Sequence, residues 1–362
     1  MRPVLILGGY GNFGKRIAQA LTKSKVPVII AGRSREKANA LKQELGPRFL
    51  DTACFNAFTE LDEELKKLNP SVVINTCGPF QNSNYSIAES CIGHGVHYID
   101  LADGRNFVTG IVTLDQAARQ NKVVIISGAS TVPGLSSAVL ENFRHEFSRI
   151  DSMTFGISPG QKAERGLATT QSILSYVGKP LKPFSGQGSV AYGWQDLYRQ
   201  EYPEIGKRWM ANCDVPDLDL LPKHYGVGSI RFSAGLEISV LHIGLWGLSW
   251  LVRAGVPLNL PHLAAPLLKV SNWFNGMGSA DGGMHVIITG RDRDGRPHSR
   301  TWFIIAFDGD GPYIPTIPAV ILAKRLAQQR MSLVGAMPCV GMVPLDDYLA
   351  ELRDFNIQTY SA

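Results

Sequence analysis

The chain has 362 residues, more than one hydrophobic core usually organises, so two domains or one domain with an insertion are expected. With 44% apolar and 19% charged residues, it is neither a disordered nor a collagen-like chain. Cys54, Cys77, Cys91, Cys213 and Cys339 contain no CxxC pair and cannot all be bridged, which argues against a disulfide framework. The net charge of +5 is spread without a basic run, so nucleic acid is excluded as the expected partner.

Only four apolar residues, Val4 to Leu7, precede the first glycines. That is too few for a signal-peptide core, and a cytoplasmic protein is expected. Strands are predicted at 4–8 (VLILG), 27–32 (PVIIAG), 49–55 (FLDTACF), 71–78 (SVVINTCG), 97–102 (HYIDLA) and 123–128 (VVIISG). Helical spacing fills 13–23, 35–45, 59–68, 83–94 and 109–120. This alternation predicts an α/β doubly wound unit of six parallel strands. Beyond Phe147 the chain becomes richer in Gly, Pro and aromatic residues, with strand-like runs at 153–158 and 229–234. Residues 284–307 read as a hairpin turning at Asp294-Gly295, and 318–329 and 345–355 as helices.

Ile238 to Val252 carries no charged residue. At fifteen residues it falls short of the roughly 20 that a membrane crossing needs, and a buried core helix is expected. A second reading is an exposed apolar wall for a greasy substrate, a partner subunit or a membrane surface; the membrane surface is not favoured.

Gly9-Tyr10-Gly11-Asn12-Phe13-Gly14 has the GxGxxG spacing between a strand and a helix. There main-chain amides and a helix N-terminus face a diphosphate. Gly9 is assigned to the tight turn, Gly11 to close approach of the phosphate and Gly14 to helix packing. Gly9, Gly14 and Lys15 also begin a P-loop, but Arg16 stands where a Ser or Thr would hold magnesium, so nucleotide hydrolysis is rejected. At the end of the second strand, where an acidic residue favours NAD, the chain has Arg33 and Ser34. A guanidinium fork binds the additional phosphate of NADP, so NADP is the expected cofactor.

The loop Asn75-Thr76-Cys77-Gly78-Pro79-Phe80 lies at a carboxyl edge of the sheet. It reads either as a nicotinamide contact or as a plain turn with Phe80 in the core. Cys77 has no neighbouring base to activate it. Asp100 and Asp103 end the fifth strand and are the catalytic candidates, as proton donor or substrate orienter, with helix capping as the alternative. Cys91, His94 and His97 have a spacing of three, but Gly93 and Gly95 interrupt them and no metal is expected. No tyrosine is followed by Lys four residues later, which excludes short-chain dehydrogenase chemistry.

GGYGNFGKRIA, IIAGRS, VVINTCGPF, GVHYIDLAD and GASTVPGLSSAVL, in this order, resemble the saccharopine dehydrogenase-like (saccharopine reductase) oxidoreductases. The resemblance is specific over residues 1 to about 142 and looser in GPYIPTIPAVILAKRLAQ. It implies an NADP-binding Rossmann domain (1–130), an α+β substrate and dimerisation domain with an open mixed sheet (131–311), and a C-terminal helical segment (312–362) returning to the first. By position, Gly11, Asn12, Phe13 and Gly14 would hold the pyrophosphate, and Arg33 and Ser34 the ribose phosphate. Cys77, Gly78, Pro79 and Phe80 would face the nicotinamide, with Ser130 to Gly134 as part of the floor. Val132 stands where the reductase pattern has aspartate.

The expected activity is therefore NADP-dependent hydride transfer to or from a C=N bond of an amino-acid adduct or a C=C bond. A trans-acting enoyl reductase on an apolar acyl intermediate, or a non-catalytic NADPH-binding, membrane-associated protein, is the alternative. The expected partners are a small-molecule substrate and a second copy in a homodimer. Lys162, Arg165, Arg199, Arg208 and Arg231 are candidate carboxylate clamps, and 238–270 a candidate greasy cleft.

Overall fold

The computed structural model describes residues 1–81 and 83–362. Its first third alternates β1 (Val4–Leu7), α1 (Asn12–Lys23), β2 (Val28–Gly32), α2 (Arg35–Leu45), β3 (Leu50–Cys54), α3 (Leu61–Leu68), β4 (Val72–Asn75), α4 (Ser86–Gly93), β5 (His97–Asp100), α5 (Arg105–Gly110), α6 (Asp115–Gln120) and β6 (Val124–Ser127). Then follow α7 (Ser136–Arg144), β7 (Arg149–Ser158), α8 (Leu167–Tyr176), β8 (Tyr198–Tyr202), β9 (Gly206–Asn212), α9 (Asp217–Tyr225), β10 (Ser229–Ala234), α10 (Ser239–Arg253), α11 (Ala264–Trp273), β11 (Gly282–Arg291) and β12 (Pro297–Ala306). The chain closes with α12 (Ile317–Ala327), β13 (Gly335–Pro338), α13 (Leu345–Glu351) and β14 (Ile357–Ser361).

One sheet is parallel throughout, in the order β13-β6-β5-β4-β1-β2-β3. Strands β1, β4 and β6 are buried at every position, as continuous apolar runs require when both sheet faces are covered. Leu7 pairs with Ala31 of β2 and with Asn75 of β4. Strand order reverses between β1 and β4, and ligands bind at such switch points. The seventh strand, β13, was not among the six expected. Its four residues, GAMP, are too short and too poor in β-branched side chains to read as a strand.

The other sheet has the order β14-β12-β11-β7-β10-β9-β8, with β7 and β10 parallel and the remaining pairs antiparallel. The expected open mixed sheet is present. The hairpin β11–β12 closes around Gly295 at φ +77°, with Asp292 N–H donating to Arg296 O at 2.9 Å.

The chain divides into one unit of Met1–Leu135 with Tyr313–Val343 and another of Ser136–Pro312 with Pro344–Ala362. The tail thus splits, where 312–362 was expected to return whole to the first unit. Nine residues of α12 are buried, and it packs on α1 and β4. Strand β14, in contrast, pairs with β12 of the second sheet, and α13 packs on α7.

The expectation of a buried core helix at 238–252 is corrected. Only His242 and Ser249 are buried in α10, while Val240, Ile243, Trp250 and Leu251 are exposed. The inward face is polar because it has partners. His242 Nδ1 accepts from Leu236 N–H at 3.2 Å, and Ser249 Oγ donates to Trp246 O at 2.6 Å and accepts from Gln195 Nε2 at 3.3 Å. Among the described residues no helix is long and apolar enough to cross a membrane.

Candidate functional site

After β1 the chain reverses through Gly8 to Gly11 and enters α1. Gly8 has φ +73°, and a Cβ there would lie 2.7 Å from Thr76 Oγ1. The turn therefore needs its glycine at Gly8, which the sequence reading passed over in favour of Gly9. Gly9 instead presses on β2, where a Cβ would lie 2.7 Å from Ile30 Cβ. Gly11 N–H donates to Gly8 O at 2.8 Å, and Gly11 is the exposed N-cap of α1. A Cβ on Gly14 would overlap Gly8 O and lie 2.7 Å from Gly9 Cα, so only glycine lets α1 start this close to the turn.

The first turn of α1 contains no acidic residue. Phe13 and Gly14 present N–H groups of the kind that lack intrahelical acceptors, and the helix dipole adds positive potential. These residues fit a diphosphate. Asn12 receives the Arg16 guanidinium on its main-chain oxygen at 2.6 Å and on its side-chain oxygen, which fixes the opening of the helix.

Tyr10, which the sequence reading did not single out, ties this turn to the end of β2. A Cβ on Gly32 would lie 2.6 Å from Tyr10 Oη, and the hydroxyl accepts from Ser34 N–H at 3.0 Å. Its signal was an aromatic residue inside GxGxxG. Arg33 is exposed beyond it, with Arg35 and Lys37 also exposed. Ser34 caps α2, its Oγ accepting from Lys37 N–H at 3.2 Å, so its hydroxyl proton can still be donated to a phosphate. No carboxylate occupies residues 28–35, the stretch where one would repel the 2′-phosphate of NADP.

The loop after β4 is clamped to the glycine turn by Thr76, whose Oγ1 donates to Leu7 O at 2.8 Å. Burial pushes the Cys77 thiol up to about 11, with Arg33 acting in the opposite direction, so the thiol stays protonated at neutral pH. Gly78 is half-buried and Pro79 exposed. Phe80 is a correction: it is turned into the core at 6% exposure, its ring 5.3 Å from that of Phe107. It anchors the loop by apolar packing and does not face a ligand.

Asp100 is also a correction, because its side chain is fully buried and does not point into a crevice. Its Oδ1 accepts from Gly128 N–H at 2.8 Å, Ser127 Oγ at 2.9 Å and Ala102 N–H at 3.0 Å, pinning the turn after β6. Burial raises its carboxyl from 3.8 to about 6, against these hydrogen bonds. Between those values the fold keeps a proton that the unfolded chain has released. Its stabilising effect is therefore full below about pH 4 and lost as pH rises through about 6. Relative to Asp100→Asn, the wild type is expected to lose about 3 kcal/mol across that window, read from urea midpoints; parallel pH profiles would contradict this.

Asp103 is half-buried and its Oδ1 accepts from Gln81 Nε2 at 3.0 Å. A Cβ on Gly104 would lie 3.1 Å from Phe80 O, so the loops after β4 and β5 press together and bring Asp103 beside the 78–81 turn. Thr131 to Gly134 are buried and Ser130 half-buried; a Cβ on Gly134 would lie 2.9 Å from Pro318 Cγ. His94 meets Asp62 at 3.0 Å, His97 Nδ1 accepts from Val124 N–H at 3.0 Å, and Cys91 is buried.

A glycine turn opening a helix, with a guanidinium in place of the usual carboxylate after β2, defines a nucleotide-binding domain suited to NADP. Residues 4–126 match the family Saccharopine dehydrogenase NADP binding domain. Apo saccharopine dehydrogenase (L-Glu forming) from Saccharomyces cerevisiae shares the fold over 100% of both chains, with a TM-score of 0.70 and 12% identity. A trans-acting enoyl reductase of Mycobacterium leprae is 26% identical over 137 residues, covering 36% of this chain and 33% of that protein. The match thus spans about a third of the curated relative's length.

Proposed function

We propose that the chain reduces the C=C bond of an apolar acyl intermediate with NADPH. The observation that carries the cofactor half is the exposed Arg33 beyond Gly32, where no carboxylate stands. Bound there, NADPH supplies a hydride, and the second carbon of the substrate takes up a proton. The glycine turn and the start of α1 hold the diphosphate, Arg33 and Ser34 the ribose phosphate, and Cys77, Gly78 and Pro79 border the nicotinamide side. Asp103, held by Gln81, is the residue that delivers or orients the proton.

The acyl substrate is favoured by the engagement of the candidate clamps. An amino-acid imine adduct carries carboxylates and calls for unengaged cations. Arg208 pairs with Glu237 at 3.4 Å, and Arg231 donates to Asn212 Oδ1 at 3.1 Å. Arg165 donates to Ser271 Oγ at 3.0 Å, and Arg199 lies 4.5 Å over the Trp209 ring. Lys162 is exposed and keeps imine reduction as the second reading.

NADPH oxidation is to be followed with an enoyl thioester series and with pairs of oxo acid and amino acid. Turnover of the enoyl set is expected; turnover confined to the imine pairs would overturn the acyl reading. Asp103→Asn is expected to lower kcat about a hundredfold with NADPH affinity unchanged, and an unaltered kcat would remove Asp103 from the chemistry. A homodimer in a reducing cytoplasm belongs to the same proposal, supported by five free cysteines. A single monomer boundary in sedimentation velocity would count against the dimer.

A further inference from the structure

Helix α10 is amphipathic in the inverse sense. At helical spacing, Val240, Ile243, Gly244, Gly247, Trp250, Leu251 and Ala254 share one stripe, and that stripe faces outward: all are exposed except the half-buried Gly247. The opposite face buries His242 and Ser249. In the following segment Trp273 is 79% and Met277 73% exposed. Monomeric proteins rarely leave so many large apolar side chains in one contiguous stretch without a partner.

Charge tells what the partner is. From Ile238 to Ala280 there is no Asp or Glu, whereas Arg253 and Lys269 are present and exposed. Lys179 is also exposed, and it lines a pocket of about 310 Å³ together with Leu174, Val252, Val256 and Leu258. Among the described residues these three cations have no carboxylate partner; Arg253 donates to Gln195 Oε1 at 2.6 Å and lies 4.0 Å over the Tyr192 ring. A second copy docking this patch on itself about a two-fold axis would set cations of one sign facing each other with no acid to neutralise them. An anionic surface with an apolar interior matches both features. At 15 residues α10 is about 22 Å long, short of the roughly 30 Å of hydrocarbon, so it suits lying in the interface plane. Tryptophan favours that depth.

We propose that residues 238–277 dock on an anionic lipid bilayer, with Trp250, Leu251, Trp273 and Met277 at the acyl boundary and Lys179, Arg253 and Lys269 among the head groups. The test is flotation of the full chain with vesicles of equimolar phosphatidylcholine and phosphatidylglycerol, beside vesicles of phosphatidylcholine alone. The wild type is expected to float with the anionic vesicles and to be released by high salt. Trp250→Glu with Trp273→Glu is expected to lower the partition coefficient at least about tenfold, while NADPH titration reports an intact nucleotide site.

Quenching of wild-type tryptophan emission by vesicles with brominated acyl chains tests insertion without any substitution, and quenching is expected. Failure of the wild type to float, or equal flotation of the double variant, would overturn the proposal. So would a wild-type dimer that the same two substitutions turn into monomer, since a second copy would then be the occupant.

Discussion

Gly14→Ala is expected to weaken NADPH binding about a hundredfold, the upper end of what overpacking costs, read from the fluorescence of the reduced nicotinamide. The new Cβ would overlap Gly8 O and sit 2.7 and 2.9 Å from Gly9 Cα and C. These are main-chain atoms that cannot rotate away as a side-chain tip would. They are also held in place: Gly8 and Gly9 N–H donate to Ala31 O at 3.0 and 3.1 Å, and Thr76 Oγ1 clamps Leu7 O. The helix must therefore move and the turn stay, which takes the first-turn amides away from the phosphate position. The same contact predicts a loss of stability of about 1–3 kcal/mol, measurable as a lower urea midpoint. An alanine variant with wild-type NADPH affinity would mean that the turn and helix do not form this cradle.

What could be read from sequence was whatever a local rule encodes. The spacing of Gly9, Gly11 and Gly14 reports main-chain crowding at a strand-to-helix turn, and the apolar runs of β1, β2 and β4 report burial on both sheet faces. Where the outcome depended on partners far along the chain, the residues alone were silent. Asp100 and Asp103 are equally polar at the end of β5. The amide of Gly128 and the hydroxyl of Ser127, from the neighbouring strand and the turn after it, draw the first fully inward, while the second stays half-buried. Phe80 was ambiguous until Phe107 supplied a ring to pack on.

The turn position at Gly8 escaped because a positive φ belongs to a single residue and a pair of adjacent glycines does not say which one carries it. In α10, mean apolarity pointed to the core, but the direction of a helix face is set by what its neighbours offer. Leu236 N–H and Gln195 offered hydrogen bonds and so drew in His242 and Ser249. Strands β8 and β14 read poorly for a related reason. As the edge strands of their sheet, with sequences YRQEY and IQTYS, they carry the polar residues that edges favour and lack the apolar alternation of an inner strand.

Arg33→Asp separates coenzyme choice from coenzyme binding. The side chain is exposed and has no hydrogen bond among the described residues, so its replacement should leave folding untouched and act only on the ligand. Loss of a charge-assisted fork to the 2′-phosphate and its replacement by a repelling carboxylate are expected to cost about 2 kcal/mol or more, roughly thirtyfold in NADPH affinity. The unphosphorylated coenzyme has no such group to repel, and aspartate can accept hydrogen bonds from its ribose hydroxyls. NADH affinity should therefore hold or rise, and the ratio of the NADH to the NADPH dissociation constant, taken by titration at one ionic strength, should fall by at least the NADPH loss. Arg35 and Lys37 are exposed beside it, and point charges of this kind are screened by salt over about 8–10 Å at 0.1–0.15 M. Raising the ionic strength screens Arg33 and its aspartate replacement as it screens these neighbours, and should therefore shrink the effect of the substitution. A ratio that stays at its wild-type value would move phosphate recognition from Arg33 to those neighbours.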